Sequence, residues 1–170
     1  IQELPFGKGR RFGSAASRVL DTVIGGWAWS GALTLQTGQF LTPAWTGSDP
    51  TGTAFTATQT PPVVTIRPNH LCNPNLPGEQ RSLMRWFDVG CFAAPTPGSF
   101  GTSARGVIKG PGINVVHLGL FKSFRIHERL TTRFDVTATN AFNHPNWGNP
   151  STTVSSPTTV GVITGVSDST

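Results

Sequence analysis

The sequence predicts an all-β protein of antiparallel strands with one long loop, and three observations support that prediction. Glycine contributes 20 and proline 14 of the 170 residues, and only 12% of residues are charged, against about 25% in ordinary soluble domains. Three segments, at about 25–40, 113–125 and 130–142, alternate apolar and polar residues. A stretch rich in Pro, Gly and Thr, residues 41–112, separates the first segment from the second. Turn-forming residues between alternating segments favour strands over helices.

The N-terminal region predicts a strand end followed by a basic turn. Pro5 and Gly7 interrupt regular pairing within residues 1–13, and the next residues carry the only concentrated positive charge. Residues 14–24 contain four apolar residues at helical spacing, and we expect a short helical turn there. The chain starts at Ile1 without an initiator methionine, so we expect it to be a processed product or a fragment.

Residues 25–40 form the clearest predicted strand. One face is apolar and the other is small or polar, and the apolar face carries Trp27, Trp29, Leu33 and Leu35. In a soluble sandwich the apolar face packs against a second sheet, whereas in a membrane barrel it points towards lipid. Two tryptophans at one end of the strand suit the aromatic girdle of a membrane interface, which makes Trp27 and Trp29 candidate interface residues.

The stretch 41–112 is long for a loop inside a compact domain, so it either serves a function or holds small elements of its own. Cys72 and Cys91 lie within it, at a spacing that fits no metal-binding motif. A disulfide between them would close a loop of roughly 20 residues, worth about 3 kcal/mol, and would place the loop outside the cytosol. Two unpaired thiols are the alternative. We expect a local core beside the cysteines, built from Met84, Trp86, Phe87, Phe92 and Phe100.

Residues 113–125 and 130–142 form a predicted β-hairpin with its turn at 126–129. One face of the third strand is uniformly polar, which suits a water-filled barrel interior and equally suits the wet face of a soluble sheet. Residues 143–157 follow as a loop. We expect a short strand at 158–166 and a frayed end after it.

Catalytic, cofactor and metal sites are not expected, since none of their motifs occurs. The histidines lack metal-ligand spacing, no G-x-S-x-G motif is present, and the carboxylates are few and dispersed. The net charge of +5 is spread along the chain, and without a nucleic-acid-binding motif we expect no nucleic-acid partner.

Four phrases of the sequence resemble the C-terminal β-barrel region of TonB-dependent outer-membrane receptors, specifically those with an N-terminal carboxypeptidase-regulatory-like domain. They occur in the family's order and span most of the chain. The phrases are ELPFGKGR at 3–10, GGWAWSGALTLQTGQ at 25–39, RWFDVGCFAAPTPGSFG at 85–101 and PGINVVHLGLFKSFRIHERLTTRFDVTATNAFNHPNWGNP at 111–150.

The resemblance implies that residues 1–170 are one segment of a transmembrane β-barrel in the bacterial outer membrane. It implies that loop 41–112 is extracellular, that the turn at 126–129 is periplasmic, and that the protein contributes to substrate uptake. The implied partners are the remaining barrel strands and outer-membrane lipid. The matching phrases do not include the family's plug domain, most of its strands or its aromatic-ended last strand, so the resemblance does not assign transport to residues 1–170 alone.

Three strands cannot close a barrel, and they leave two open edges that must find partners. Two other functions therefore remain as alternatives. In the first, the chain is a soluble extracellular β-protein that is secreted and that self-assembles or adheres through its open edges. In the second, the chain is a secreted hydrolase.

Overall fold

The computed structural model describes residues 1–52, 63–127 and 130–167, except for the side chain of His127. Parts of the predicted long loop and periplasmic turn, and the end predicted to fray, lie outside these residues. In chain order the elements are β1 (Gln2–Glu3), α1 (Arg18–Ile24), β2 (Trp27–Gln36), β3 (Phe40–Leu41), β4 (Trp45–Ser48), β5 (Val63–Ile66), β6 (Asn69–His70), two 3-10 helices (Gly78–Gln80 and Val89–Cys91), β7 (Phe92–Ala93), β8 (Ile108–Lys109), β9 (Ile113–His127) and β10 (Leu130–Ala138).

The chain divides into two compact units, where the sequence alone suggested one segment over 1–170. The sheet unit comprises Ile1–Leu35 and Asn114–His144, and the loop unit comprises Gln36–Ile113 and Pro145–Ser169. The fold is mostly β with antiparallel sheets, as predicted.

The sheet unit contains a four-stranded sheet in the order β1-β2-β9-β10. Strands β9 and β10 pair antiparallel, from Leu118 opposite Ala138 to His127 opposite Leu130. The strand predicted at 25–40 lies at Trp27–Gln36, and the hairpin strands lie at Ile113–His127 and Leu130–Ala138. The described strands form an open sheet with β1 and β10 at its edges.

Local sequence explains where the elements of the sheet unit begin and end. Ser17 caps α1 by accepting a hydrogen bond from the Leu20 N–H, which satisfies a free donor of the first turn. Gly26 has a φ of +69°, and a Cβ there would lie 2.5 Å from the Ser123 carbonyl oxygen, so only glycine fits between the helix and β2. After β10 the backbone turns through Asn140 and Asn143, both at positive φ.

The loop unit is built from three short antiparallel pairs, β3 with β8, β4 with β5 and β6 with β7. The stretch 41–112 therefore holds small elements of its own. Its core joins Phe87, Phe92, Ile108 and Val160, with Trp86 packed against them.

The predicted local core is wrong at two residues, because both are exposed. Met84 is 73% exposed and Phe100 is 58% exposed. Met84 lies at a hairpin tip closed by the bridge between Ser82 and Arg85, where a side chain points away from the body of the unit.

The prediction of a short strand at 158–166 is also wrong. The segment forms turns and isolated bridges, with Val160 bridged to Ser151 and Val166 bridged to Trp147. Gly161 has a φ of +76°, which breaks an extended run. Val160 and Ile163 are buried nonetheless, so the apolar residues of this segment complete the core.

Candidate functional site

The candidate site is the apolar face of the sheet unit. Leu118 and Leu120 lie opposite Ala138 and Val136, and residues directly opposite one another share a face. Among the described residues this face is largely uncovered, because its large side chains remain between about two fifths and seven tenths exposed. These side chains are Trp29, Leu33, Leu35, Leu118, Leu120, Phe134 and Val136.

The opposite face carries polar and small residues. The Arg133 guanidinium donates a hydrogen bond to Asp135 at 2.6 Å and lies 4.3 Å from the centre of the Phe121 ring. A Cβ at Gly119 would lie 2.6 Å from the hydroxyl oxygen of Ser30, so this face packs closely around small groups. The sheet therefore separates an apolar surface from a wettable one.

The two tryptophans predicted for a membrane interface lie in β2 with different surroundings. Trp27 is half-buried, and its Nε1–H donates a hydrogen bond of 2.9 Å to the Val23 carbonyl. Trp29 is 45% exposed. Contact of either ring with a membrane interface stays a prediction.

Lys122 is the residue that sequence reasoning missed. It occupies the apolar face between Leu120 and Phe124, yet it is only 3% exposed. Its ammonium donates hydrogen bonds to the carbonyls of Val23 and Gly25, and lies 5.0 Å from the Trp27 ring centre. Counting every second residue from Leu118 would have placed this lysine on the apolar face and marked it as needing a partner.

The disulfide predicted between Cys72 and Cys91 is present, with 4.8 Å between the Cα atoms. Cys91 is buried at the end of the second 3-10 helix, which Asp88 caps by accepting from the Gly90 N–H at 3.1 Å. The Cys91 carbonyl accepts a hydrogen bond from the Leu71 N–H at 2.8 Å. The disulfide thus ties the strand pair β6–β7 to the core of the loop unit.

Within residues 1–52, 63–127 and 130–167, no group of three or more His, Cys, Asp or Glu side chains could hold a metal ion. No helix in this part of the chain has the length and apolar character needed to cross a membrane.

The comparisons with known proteins gave one match. A family model described as outer membrane beta barrel domain matches residues 1–170. No curated protein and no solved structure matches the chain.

Proposed function

Because the chain belongs to the outer membrane beta barrel domain family, we propose that it forms part of the barrel wall of a TonB-dependent receptor. In this proposal β2, β9 and β10 cross the bacterial outer membrane, with their apolar face towards lipid and their polar face towards the lumen. The uncovered apolar face is the observation on which the proposal rests. In water an exposed apolar face promotes aggregation, whereas in a bilayer an apolar face is what contact with the lipid chains requires.

Strand length supports the same proposal. A strand that crosses a bilayer at the usual tilt needs about 9–11 residues. Strand β2 has 10 residues, β10 has 9 and β9 has 15. Strand β9 is therefore long enough to cross the hydrocarbon layer and to continue beyond it.

The loop unit is proposed as the extracellular part that first meets a transported substrate. Its disulfide is typical of a compartment outside the cytosol. Its own buried core gives it a defined surface, and loops held by a rigid scaffold are common sites of binding. On this proposal the loop unit contributes to uptake by substrate capture.

The partners proposed for the sheet are the remaining strands of the barrel. Backbone groups at an unpaired edge are not tolerated in lipid, so β10 requires a neighbour there. All nine residues of β10 are exposed. The same open edge favours a second candidate function, in which copies of the chain join edge to edge as an adhesive extracellular assembly.

Tryptophan quenching by brominated lipids tests the membrane position of the sheet. The refolded chain is bound to vesicles with bromine on the acyl chains, and we expect the quenching to fall in Trp29→Phe. Trp45→Phe is the matched control, because Trp45 belongs to the loop unit, and the absolute fluorescence lost to bromine should equal that of the unchanged chain. Equal quenching in all three proteins would contradict insertion of the apolar face.

Two further observations separate the receptor from the adhesive assembly. The receptor proposal requires a plug domain and an aromatic-ended strand in the same reading frame, and a frame that encodes neither contradicts it. The adhesive proposal requires concentration-dependent association in water, so a strict monomer in sedimentation equilibrium contradicts it.

A further inference from the structure

The turn end of the sheet carries a second surface, formed around helix α1. Lys122 shares the face of Leu118 and Leu120, and its ammonium binds the last carbonyls of the helix at Val23 and Gly25. Trp27 donates to the same Val23 carbonyl. The helix is therefore fixed on the apolar side of the sheet, near the end of β9.

Three apolar side chains of this helix are exposed, beside the exposed polar residues Arg18 and Thr22. Val19 is 79% exposed and Val23 is 64% exposed, and Leu20 between them is also exposed. A helix of seven residues is not stable alone in water, so the contacts with β2 and β9 hold it in place. They hold its apolar side chains outward, where water gives them no favourable contact.

A groove of about 670 Å³ lies beside the helix, where β9 continues past the start of β2. Arg18 and Arg125 both line it, together with the hydroxyl-bearing residues Thr22, Ser123 and Thr131. Neither guanidinium forms an ion pair with another described residue.

The groove also contains one carboxylate, that of Asp21. Its Oδ1 accepts a hydrogen bond from the Lys8 backbone N–H, which brings the basic turn at residues 8–11 next to the helix. Among the described residues around helix α1 and the groove, the positive charges of Lys8, Arg11, Arg18 and Arg125 therefore outnumber the negative charge of Asp21, and Glu3 is paired with Arg10.

We infer that helix α1 and its groove bind the headgroups of anionic phospholipids at the periplasmic face of the outer membrane. Arginine guanidinium groups form paired hydrogen bonds with phosphate. Apolar side chains on a short interfacial helix enter the boundary between headgroups and acyl chains. The inference rests on the proposed function, because it needs the sheet to lie in a membrane with its turn end at the periplasmic side.

Vesicle partition tests this inference with the whole chain. The partition coefficient is measured by flotation with phosphatidylcholine vesicles and with vesicles that also contain phosphatidylglycerol. We expect tighter binding to the anionic vesicles, and we expect Arg18→Gln/Arg125→Gln to lower that binding about 20- to 30-fold, from a factor of about five for each basic residue at an anionic surface. Binding to the neutral vesicles should stay unchanged.

Arg67→Gln/Arg105→Gln is the control, because it removes the same charge from exposed positions in the loop unit. We expect it to keep the preference for anionic vesicles, and an equal loss in both double variants would overturn a specific site. Far-ultraviolet circular dichroism should be the same for all three proteins, and a changed spectrum in Arg18→Gln/Arg125→Gln would overturn a direct role of these two arginines in lipid binding.

The remaining outcomes distinguish the inference from the proposed function. Binding to neutral vesicles without any gain from phosphatidylglycerol overturns the inference and leaves the membrane proposal intact. Binding to neither kind of vesicle overturns both. Inorganic phosphate should weaken the preference for phosphatidylglycerol vesicles no more than sodium chloride does at the same ionic strength. A larger effect of phosphate would assign the groove to free anions instead of lipid.

Discussion

The sheet unit and the loop unit use their apolar residues in opposite ways. Of the nine buried apolar residues in the described part of the chain, only Val115 belongs to the sheet unit. Most of the large exposed apolar side chains, by contrast, belong to the sheet unit. The loop unit therefore buries its apolar residues in its own core, whereas most apolar side chains of the sheet unit remain exposed.

This difference shows which stabilising interactions each unit contains within itself. The loop unit combines a buried aromatic pair, Phe87 and Phe92, whose ring centres lie 6.1 Å apart, with a disulfide. The sheet unit has backbone pairing and one buried lysine cluster. We expect substitutions in the loop unit to act in water and substitutions on the apolar face of the sheet to act in a bilayer.

The largest effect is expected from Phe87→Ala in the loop unit. The ring is 1% exposed, so its removal should lower the free energy of unfolding by about 3–5 kcal/mol. Denaturant unfolding followed by near-ultraviolet circular dichroism measures the change. Phe134→Ala is the matched control in the sheet unit, and since Phe134 is 60% exposed it should change the result by less than about 1 kcal/mol. Equal losses would remove the contrast between the two units.

A charge on the apolar face of the sheet should act only in a bilayer. Val136→Arg should make folding into vesicles less favourable by about 2–4 kcal/mol if the residue lies near the bilayer centre. Thr137→Arg, one residue further on the opposite face, should make it less favourable by less than about 1 kcal/mol. Denaturant titration of folding in thin-bilayer vesicles measures both values. A larger loss at Thr137 would reverse the proposed orientation of the sheet.

Loss of the disulfide should destabilise the loop unit and leave the sheet unit unchanged. The bond joins residues separated by 19 positions, so its loss should destabilise the loop unit by about 3 kcal/mol through a less constrained unfolded chain. The measurement is the denaturant midpoint of Cys72→Ser/Cys91→Ser against the unchanged chain. Partition onto neutral vesicles should not change, and a parallel loss of partition would show that the two units depend on each other.

The smallest effect is expected at Lys122, the only buried charge among the described residues of the sheet unit. Lys122→Met leaves the carbonyls of Val23 and Gly25 without this donor, a loss of about 1–3 kcal/mol. Hydrogen exchange at the α1 amides should become roughly 5- to 150-fold faster, the factor that corresponds to this loss. Lys109→Met is the control, since Lys109 is exposed in the loop unit. If Lys109→Met accelerated exchange at the α1 amides equally, a local role for Lys122 would be contradicted.

Local periodicity was sufficient for the strands of the sheet unit. Alternation located β2, β9 and β10 to within a few residues, because each strand has one apolar and one polar face. It also separated the apolar and polar faces that the register of β9 and β10 shows. The helical spacing at 14–24 likewise indicated α1, which the structure places at Arg18–Ile24.

The loop unit could not be predicted in the same way. Phe87 and Phe92 were correctly expected inside, but Met84 and Phe100 were not distinguished from them, since none of the four lies in a long alternating strand. Val160 enters the core from a segment that was expected to form a strand. These positions depend on contacts between residues far apart in the chain, such as the bridge of Ala44 with Thr153.

The all-β class, the three long strands, their two faces and the single possible cysteine pair could be predicted from the sequence. They follow from side-chain alternation and from the cysteine count, which are local or compositional properties. The burial of particular apolar residues, the way the C-terminal segment joins the loop unit and the binding of Lys122 to the end of α1 became clear from the three-dimensional contacts. The physical reason is that burial and hydrogen-bond partners are set by which distant segments meet, and short-range pattern does not contain that information.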